Sequence, residues 1–379
     1  MSRFYNPVTV YSGPEGCNDL AVDLDAEWGW VKRVLILTRG ESVERKTELA
    51  PLMAWADARE TTVRELALSN PGLEDVLSLH QDLKALRCQL IIAIGGGSVM
   101  DVAKSLAATT GHGLHSIDDL RTLVSRGAYG STEKILPWIG IPTTSGTGSE
   151  VTKWATVWDR EQGCKRSIVH NALYARMALI VPELTRTLPL NISASTALDA
   201  LCQATEAYWS KRTNPITRTY ALAAIREIRI ALPLLKGEPQ SPAIREKLAL
   251  ASLHAGLAFS NTQTTACHSI SYPLTLLRGI DHGIAVSLTL APILQLNEST
   301  LIEKEKLFSA FGVERAEEVE MVFRSLFDHY GIPKRLSDHG VTKEDIPKIV
   351  EGAYTKGRMD NNPVAISEAQ LTKILQDLL

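Results

Sequence analysis

Two short apolar runs, each ending in a turn rich in glycine and hydroxyl side chains, restrict what this chain can fold into more than any other feature. Gln89-Leu90-Ile91-Ile92-Ala93-Ile94 leads into Gly95-Gly96-Gly97-Ser98, and the run 135–141 leads into Pro142-Thr143-Thr144-Ser145-Gly146-Thr147-Gly148-Ser149-Glu150. Short runs rich in isoleucine and bounded by turn residues read as buried strands. Val34-Leu35-Ile36-Leu37-Thr38 and Ala178-Leu179-Ile180-Val181 have the same character. Helical stretches lie between them, among them 73–86 and 98–109. Alternating strands and helices imply a largely parallel sheet with helices on both faces. Ligands of such sheets bind at the carboxyl ends of the strands, where both glycine clusters fall.

Beyond about residue 185 the strand signal ends. Segments 193–212, 215–235, 241–260, 283–296, 300–311, 314–330, 342–353 and 366–378 all read as helices. Ser193 or Ser195 is placed to cap the first, and Asn214-Pro215 to close it and open the next. The expected organisation is an α/β half, 1–185, and an all-α half, 186–379, and 379 residues is a length suited to two domains. The cleft between two such halves is the default active site.

Composition narrows the function. Hydrophobic residues make up 45% and charged residues 22%, as in soluble globular proteins, and a formal net charge of −3 gives no reason to expect a nucleic-acid partner. No uncharged apolar run approaches about 18 residues, so no membrane span is expected. The start, Met1-Ser2-Arg3-Phe4-Tyr5-Asn6-Pro7, has no apolar core with a cleavage site, so no signal peptide is expected. Five scattered cysteines without a CxxC pair imply reduced thiols and a cytoplasmic location.

Glycines let a backbone approach a pyrophosphate and turn N–H groups toward it, and a helix starting there adds a favourable dipole. Gly95-Gly96-Gly97-Ser98 opens the helix that carries Asp101 and Lys104, although it is not a GxGxxG fingerprint. Alone, the first cluster is more often a plain tight turn and the second reads also as a flexible polar loop; two in one α/β half suggest a bed for a ligand with several phosphates. In the all-α half, Asp199 and Gln203 are four apart and share one helix face. His268 and His282 flank a segment, read as a loop, that contains Pro273 and Gly279. A carboxylate and two imidazoles suit Fe²⁺ or Zn²⁺ with a coordination place left open. Spacing alone leaves plainer readings standing: a helical Asp as a cap or ion-pair partner, and each His as a structural residue.

Taken together, these residues resemble the iron-containing, group III alcohol dehydrogenases, whose fold is shared with dehydroquinate synthase and glycerol dehydrogenase. The carriers are Gly95 to Lys104, Pro142 to Thr152, Asp199-Ala200-Leu201 and His268 with His282-Gly283, and the resemblance spans nearly the whole chain. It implies a dehydroquinate synthase-like fold: an α/β dinucleotide-binding domain and an all-α metal-binding domain. It implies that Gly96, Gly97 and Ser98 cradle the cofactor pyrophosphate, and that Asp101 and Lys165 belong to the cofactor-binding set. Thr143, Thr144 and Thr147 would line the phosphate and nicotinamide ribose, and Asp199, His268 and His282 would ligate Fe²⁺ or Zn²⁺. A homodimer is expected on the same ground.

Two positions depart from the family pattern. Gln203 stands where many members have a fourth, histidine ligand; its amide oxygen can ligate, but it is neutral and a weaker donor. Tyr272 stands where a further histidine is common, as a proton relay or as filling. The segments Tyr208-Trp209-Ser210, Thr264 to Thr275 and Asp360-Asn361-Asn362-Pro363 resemble the branch that reduces phosphonoacetaldehyde, and the sulfoacetaldehyde reductases are close to it in substrate shape.

An NAD(P)H-dependent reduction of a small anionic aldehyde is therefore expected, with Asp199, His268, His282 and Tyr272 as the catalytic group. The anionic tail needs cationic partners, for which Arg278, Lys153 and Arg358 are candidates in that order. At the end of the first strand, in Thr38-Arg39-Gly40-Glu41-Ser42, Arg39 leans toward NADPH while Glu41 leans toward NADH. Three other readings compete: a general short-chain alcohol dehydrogenase, a non-redox dehydroquinate synthase-like enzyme, and a non-catalytic relative that lost a ligand at Gln203.

Overall fold

The computed structural model describes residues 3–40, 43–68, 70–131 and 135–379. Its chain divides into two compact units, one of Asn6–Thr144 and Gly148–Arg186, the other of Met1–Tyr5, Ser145–Thr147 and Thr187–Leu379.

The first unit is α/β. Its strands are β1 Thr9–Ser12, β2 Arg33–Thr38, β3 Glu60–Glu65, β4 Leu90–Gly95, β5 Trp138–Pro142, β6 Trp154–Asp159, β7 Cys164–Val169 and β8 Met177–Ile180. Six of them form a sheet in the order β1-β8-β5-β4-β2-β3, with every neighbouring pair parallel, and β6 and β7 form a separate antiparallel hairpin. Helices α1 Gly13–Trp28, α2 Ala50–Asp57, α3 Leu73–Leu86, α4 Gly97–Thr109 and α5 Ile117–Arg126 cover it.

Alternate side chains of the central strands explain the two layers. Leu35, Leu37, Ile91 and Ala93 join one core with α3, α4 and α5, while Val34, Ile36, Leu90, Ile92 and Ile94 join the other with α1 and α2. A strand buried on both faces reads as an unbroken apolar run, which is why β2 and β4 stand out in the sequence. Strands β1 and β3 do not. They are the edges, and the Glu60-Thr61-Thr62-Val63-Arg64-Glu65 segment is mostly exposed, so no apolar run marks it. The chain reverses its direction of travel across the sheet between β2 and β4, which makes their carboxyl ends the switch-point crevice where dinucleotides bind.

The second unit is built of helices: α6 Leu190–Trp209, α7 Pro215–Leu235, α8 Pro242–Thr262, α9 Ala266–Arg278, α10 His282–Asn297, α11 Lys304–Phe311, α12 Glu318–Tyr330, α13 Ile346–Gly352 and α14 Glu368–Asp377. Asn214 caps α7 as the sequence implies: its Oδ1 accepts from the amides of Ile216 at 3.0 Å and Thr217 at 3.1 Å, and Pro215 opens the helix. Neither Ser193 nor Ser195 caps α6, which starts earlier, at Leu190 after Pro189.

The segment between His268 and His282 is a correction. It is helix α9, not a loop. Pro273 reads as a breaker because it removes one helical hydrogen bond at a cost of about 3 kcal/mol. Here the whole stretch Ala266 to Leu274 is buried, and burial at roughly 1.5–3 kcal/mol per large apolar side chain outweighs that loss.

No helix among the described residues is long and apolar enough to cross a membrane.

Candidate metal centre and dinucleotide site

In the helical unit, helix α6 presents Asp199, Gln203 and Glu206 along one face, all three almost fully buried. Helix α9 brings His268 in its first turn and α10 begins with His282. The close approach of α10 to α6 depends on Gly283, where a Cβ would lie 1.9 Å from the Ser195 carbonyl oxygen. That contact sits one helical turn from Asp199. His268 Nε2 lies 3.2 Å and His282 Nε2 3.9 Å from Asp199 Oδ1. One ligand atom from each of the three residues falls within 4.8 Å of the others.

The tautomers follow from the hydrogen bonds behind the rings. Ser271 Oγ donates its single proton to the His268 carbonyl at 2.8 Å, so toward His282 Nδ1, 3.3 Å away, it accepts. His282 therefore carries its proton on Nδ1 and turns the lone pair of Nε2 toward Asp199. His268 Nδ1 donates to Glu206 Oε2, which directs its Nε2 the same way. Two imidazole nitrogens and a carboxylate oxygen thus converge, an arrangement of donors that calls for a positive charge between them. Tyr272 stacks on His282 with ring centroids 6.0 Å apart and planes 9° from parallel.

The same geometry shapes the electrostatics. Burial alone would push Asp199 and Glu206 up and His268 down. The mutual attraction wins: both carboxyls are held below their ordinary values, and His268 is held up at about 10 by Glu206 and Asp199. The centre is built to hold positive charge, and its donor set fits a divalent cation such as Fe²⁺ or Zn²⁺. An unpartnered buried oxygen, Gln203 Oε1, adds to that fit.

Glu206 is the functional residue that sequence reasoning missed. Its Oε1 accepts from Thr265 Oγ1 at 2.8 Å and from the amides of Cys267 at 2.7 Å and His268 at 3.4 Å. Thr265 Oγ1 in turn accepts from Trp209 Nε1 at 2.7 Å. The signal was present: Asp199, Gln203 and Glu206 follow a helical i, i+4, i+7 spacing, and a buried carboxylate on that face needs a partner.

In the α/β unit, the turn after β4 lies at the switch point. Gly96 caps α4 and is packed so tightly that a Cβ there would meet Thr144 Cγ2 at 3.1 Å. Thr143 N donates to the Gly95 carbonyl at 3.1 Å. Gly96, Gly97, Ser98, Thr143 and Thr144 are therefore brought together at adjacent strand ends, with the unbonded amides of a helix start among them. Thr38, buried, ends the neighbouring strand β2, and Arg39, exposed, follows it. Glu41 and Ser42 lie outside the described residues. Thr147 belongs to the helical unit, where its neighbour Gly146 lies against Thr196.

Beneath the turn is a buried polar cluster. Lys104 is wholly buried and Nζ donates to Ser149 Oγ at 2.7 Å, Thr152 Oγ1 at 2.8 Å and the Trp154 carbonyl at 3.0 Å. Burial pushes Asp101 up, opposed by Lys104 and by Lys165 on β7, and pushes Lys104 down, opposed by Asp101 and Glu150. Asp101 and Lys165 thus sit with the lysine that ties down the second glycine loop. Burial also raises the Glu150 carboxyl from 4.5 to about 7. The folded state then binds this proton more tightly than the unfolded chain, so its contribution to stability is full below pH 4.5 and is lost as pH rises to about 7. Glu150→Gln should flatten the fall in urea midpoint across that window, and an unchanged slope would contradict the assignment.

Of the candidate anion partners, Arg278 ends α9 and is forked onto Asp345, with Nε to Oδ2 at 2.9 Å and Nη2 to Oδ1 at 2.6 Å. A substrate oxygen would have to displace that carboxylate. Lys153 Nζ donates to Asn171 Oδ1 at 2.9 Å in the α/β unit. Arg358 Nη1 donates to the Gly357 carbonyl at 3.1 Å. The segment leading to Arg358 is tied to α9 beside His268, where Thr355 N donates to Ser269 Oγ at 3.1 Å.

Residues 7–182 match the iron-containing alcohol dehydrogenases, and 193–379 match the C-terminal part of the Fe-containing alcohol dehydrogenase family. The chain belongs to the iron-containing alcohol dehydrogenase family. It is an oxidoreductase of that family, as the motifs around Gly96, Asp199 and His268 imply. The phosphonoacetaldehyde reductase of Streptomyces viridochromogenes is 37% identical over 227 residues, covering 60% of this chain and 58% of that protein. The sulfoacetaldehyde reductase of Bilophila wadsworthia is 30% identical, covering 81% of each. A crystal structure of sulfoacetaldehyde reductase from Bifidobacterium kashiwanohense in complex with NAD⁺ superposes with a TM-score of 0.87 at 30% identity, over 100% of this chain and 98% of that one.

Proposed function

We propose that this enzyme reduces a short aldehyde with an anionic tail, sulfoacetaldehyde or phosphonoacetaldehyde, to the corresponding alcohol with NAD(P)H and a divalent metal. The observation that carries the proposal is the convergence of Asp199, His268 and His282 in a chain whose relatives include reductases of both aldehydes. When bound, the cation supplies Lewis acidity toward a carbonyl oxygen and the nicotinamide supplies hydride.

The residues of this chain supply position and field. Asp199 brings the negative charge of the centre. Glu206 and Ser271 lock the two imidazoles from behind, so no reorganisation is needed to present their Nε2 atoms. His282, with a side chain 39% exposed, is the solvent-facing member, and water along its ring delivers the proton that the product alcohol requires. Tyr272 holds that ring by stacking. Gly96, Gly97, Ser98, Thr143 and Thr144 bind the pyrophosphate and adjoining ribose of the dinucleotide. Arg358 ranks ahead of Arg278 and Lys153 for the tail, because its segment is anchored beside His268.

The test is a panel of sulfoacetaldehyde, phosphonoacetaldehyde and propanal, each with NADH and with NADPH. One charge-assisted hydrogen bond is worth about 1.5–3 kcal/mol, so kcat/KM for an anionic aldehyde should exceed that for propanal by about tenfold or more. Arg358→Ala should remove that advantage through KM. Equal rates on all three aldehydes would assign a general short-chain alcohol dehydrogenase instead. No cofactor oxidation with any of them would reject the redox reading.

A further inference from the structure

We infer that Gln203 both orients Asp199 and supplies the fourth donor of the metal centre, making a two-imidazole, two-oxygen set biased toward harder divalent ions and away from Zn²⁺. The inference rests on reading Asp199, His268 and His282 as a metal centre. Gln203 is 5% exposed, and its Nε2 donates to Asp199 Oδ2 at 2.8 Å. That bond leaves Asp199 Oδ1 as the oxygen facing both imidazoles. The amide cannot be turned over without setting its oxygen against a carboxylate oxygen. Its Oε1 is then a buried acceptor without a hydrogen-bond partner, which is costly unless something positive meets it.

Donor chemistry gives the direction of selectivity. Imidazole suits Zn²⁺, whereas carboxylate and carbonyl oxygens suit ions such as Mn²⁺. An amide oxygen adds no charge and is harder than an imidazole nitrogen. The centre should therefore hold Zn²⁺ less tightly, relative to Mn²⁺, than the same centre with a third imidazole.

The experiment strips the full-length protein with a chelator and measures Kd for Mn²⁺ and Zn²⁺ by chelator competition, with metal content checked by mass spectrometry. Gln203→His should tighten Zn²⁺ about tenfold or more and change Mn²⁺ by less than about threefold. Gln203→Ala should weaken both about tenfold or more, since it removes a donor and frees Asp199. Identical affinities for wild type and both variants would overturn the role of Gln203 while leaving the metal centre in place. Asp199→Ala with undiminished affinity would overturn the centre itself. A measurement on the wild type stands apart from any folding defect in the variants. Protein labelled with ¹³C at the glutamine side-chain carbonyl should show an infrared shift on Mn²⁺ addition, and no shift would overturn ligation by Gln203.

Discussion

Asp199→Ala is expected to lower kcat/KM for aldehyde reduction by about a thousandfold, because Lewis-acid stabilisation of developing charge is worth several kcal/mol and each 1.36 kcal/mol is a factor of ten. The reason lies in the geometry. Asp199 meets His268, His282 and Gln203 at once. Removing it leaves two lone-pair nitrogens and an amide with no anion to hold a cation among them. Dinucleotide binding should survive, since Gly96, Gly97, Ser98, Thr143 and Thr144, the residues proposed to hold it, lie in the α/β unit. Bound metal and turnover should fall together while the Kd for NADH, measured by fluorescence, stays within about threefold, a change worth under 1 kcal/mol. A variant that loses metal but keeps its activity would separate the centre from the chemistry.

Glu206→Ala should be nearly as damaging by a different route. Its carboxylate supplies no candidate ligand atom, yet it accepts from His268 Nδ1, Thr265 Oγ1 and two backbone amides. Removing it orphans all four donors in a buried place. Breaking a buried charged pair from one side costs about 3–5 kcal/mol of stability. Loss of the carboxylate behind a ligating histidine costs about 10–100-fold in metal affinity. Glu206→Gln keeps the shape and accepts through its amide oxygen, so it should recover most of the stability while metal affinity stays reduced. If the two variants bind metal as the wild type does, Glu206 is a packing residue and no more.

The sheet was legible where strands are buried on both faces, because β2 and β4 alternate between two apolar cores and so read as continuous runs. It was not legible at β1 and β3, whose edge positions leave no such mark. The helical unit was legible in its long helices. It was not legible at α9, where Pro273 hides a helix held by burial that ends at Arg278. The metal group was visible as residue types but not as geometry: nothing in the spacing of Asp199, His268 and His282 says that Gly283 lets α10 close on α6. Glu206 went unseen because a glutamate on a helix usually faces water, and only the burial of that face reveals its task.

The three segments that resemble the phosphonoacetaldehyde-reducing branch are joined in the structure. Asn361 Nδ2 donates to the carbonyls of Thr262 at 2.9 Å and Thr264 at 3.0 Å, and Ser210 Oγ donates to Asn361 Oδ1 at 3.1 Å. Trp209 meets Thr265 in the same place. This knot fixes the start of α9, hence the position of His268. Sequence alone gave these residues as separate patches because their contacts span 56 to 151 positions along the chain.

Anomalous scattering from crystals grown with Fe²⁺ or Zn²⁺, collected on both sides of the metal edge, decides whether this is a metal-dependent oxidoreductase. A single strong peak within bonding distance of Asp199 Oδ1, His268 Nε2 and His282 Nε2 is predicted. A peak elsewhere, or none in crystals of enzyme that turns over fully after chelation, would contradict it.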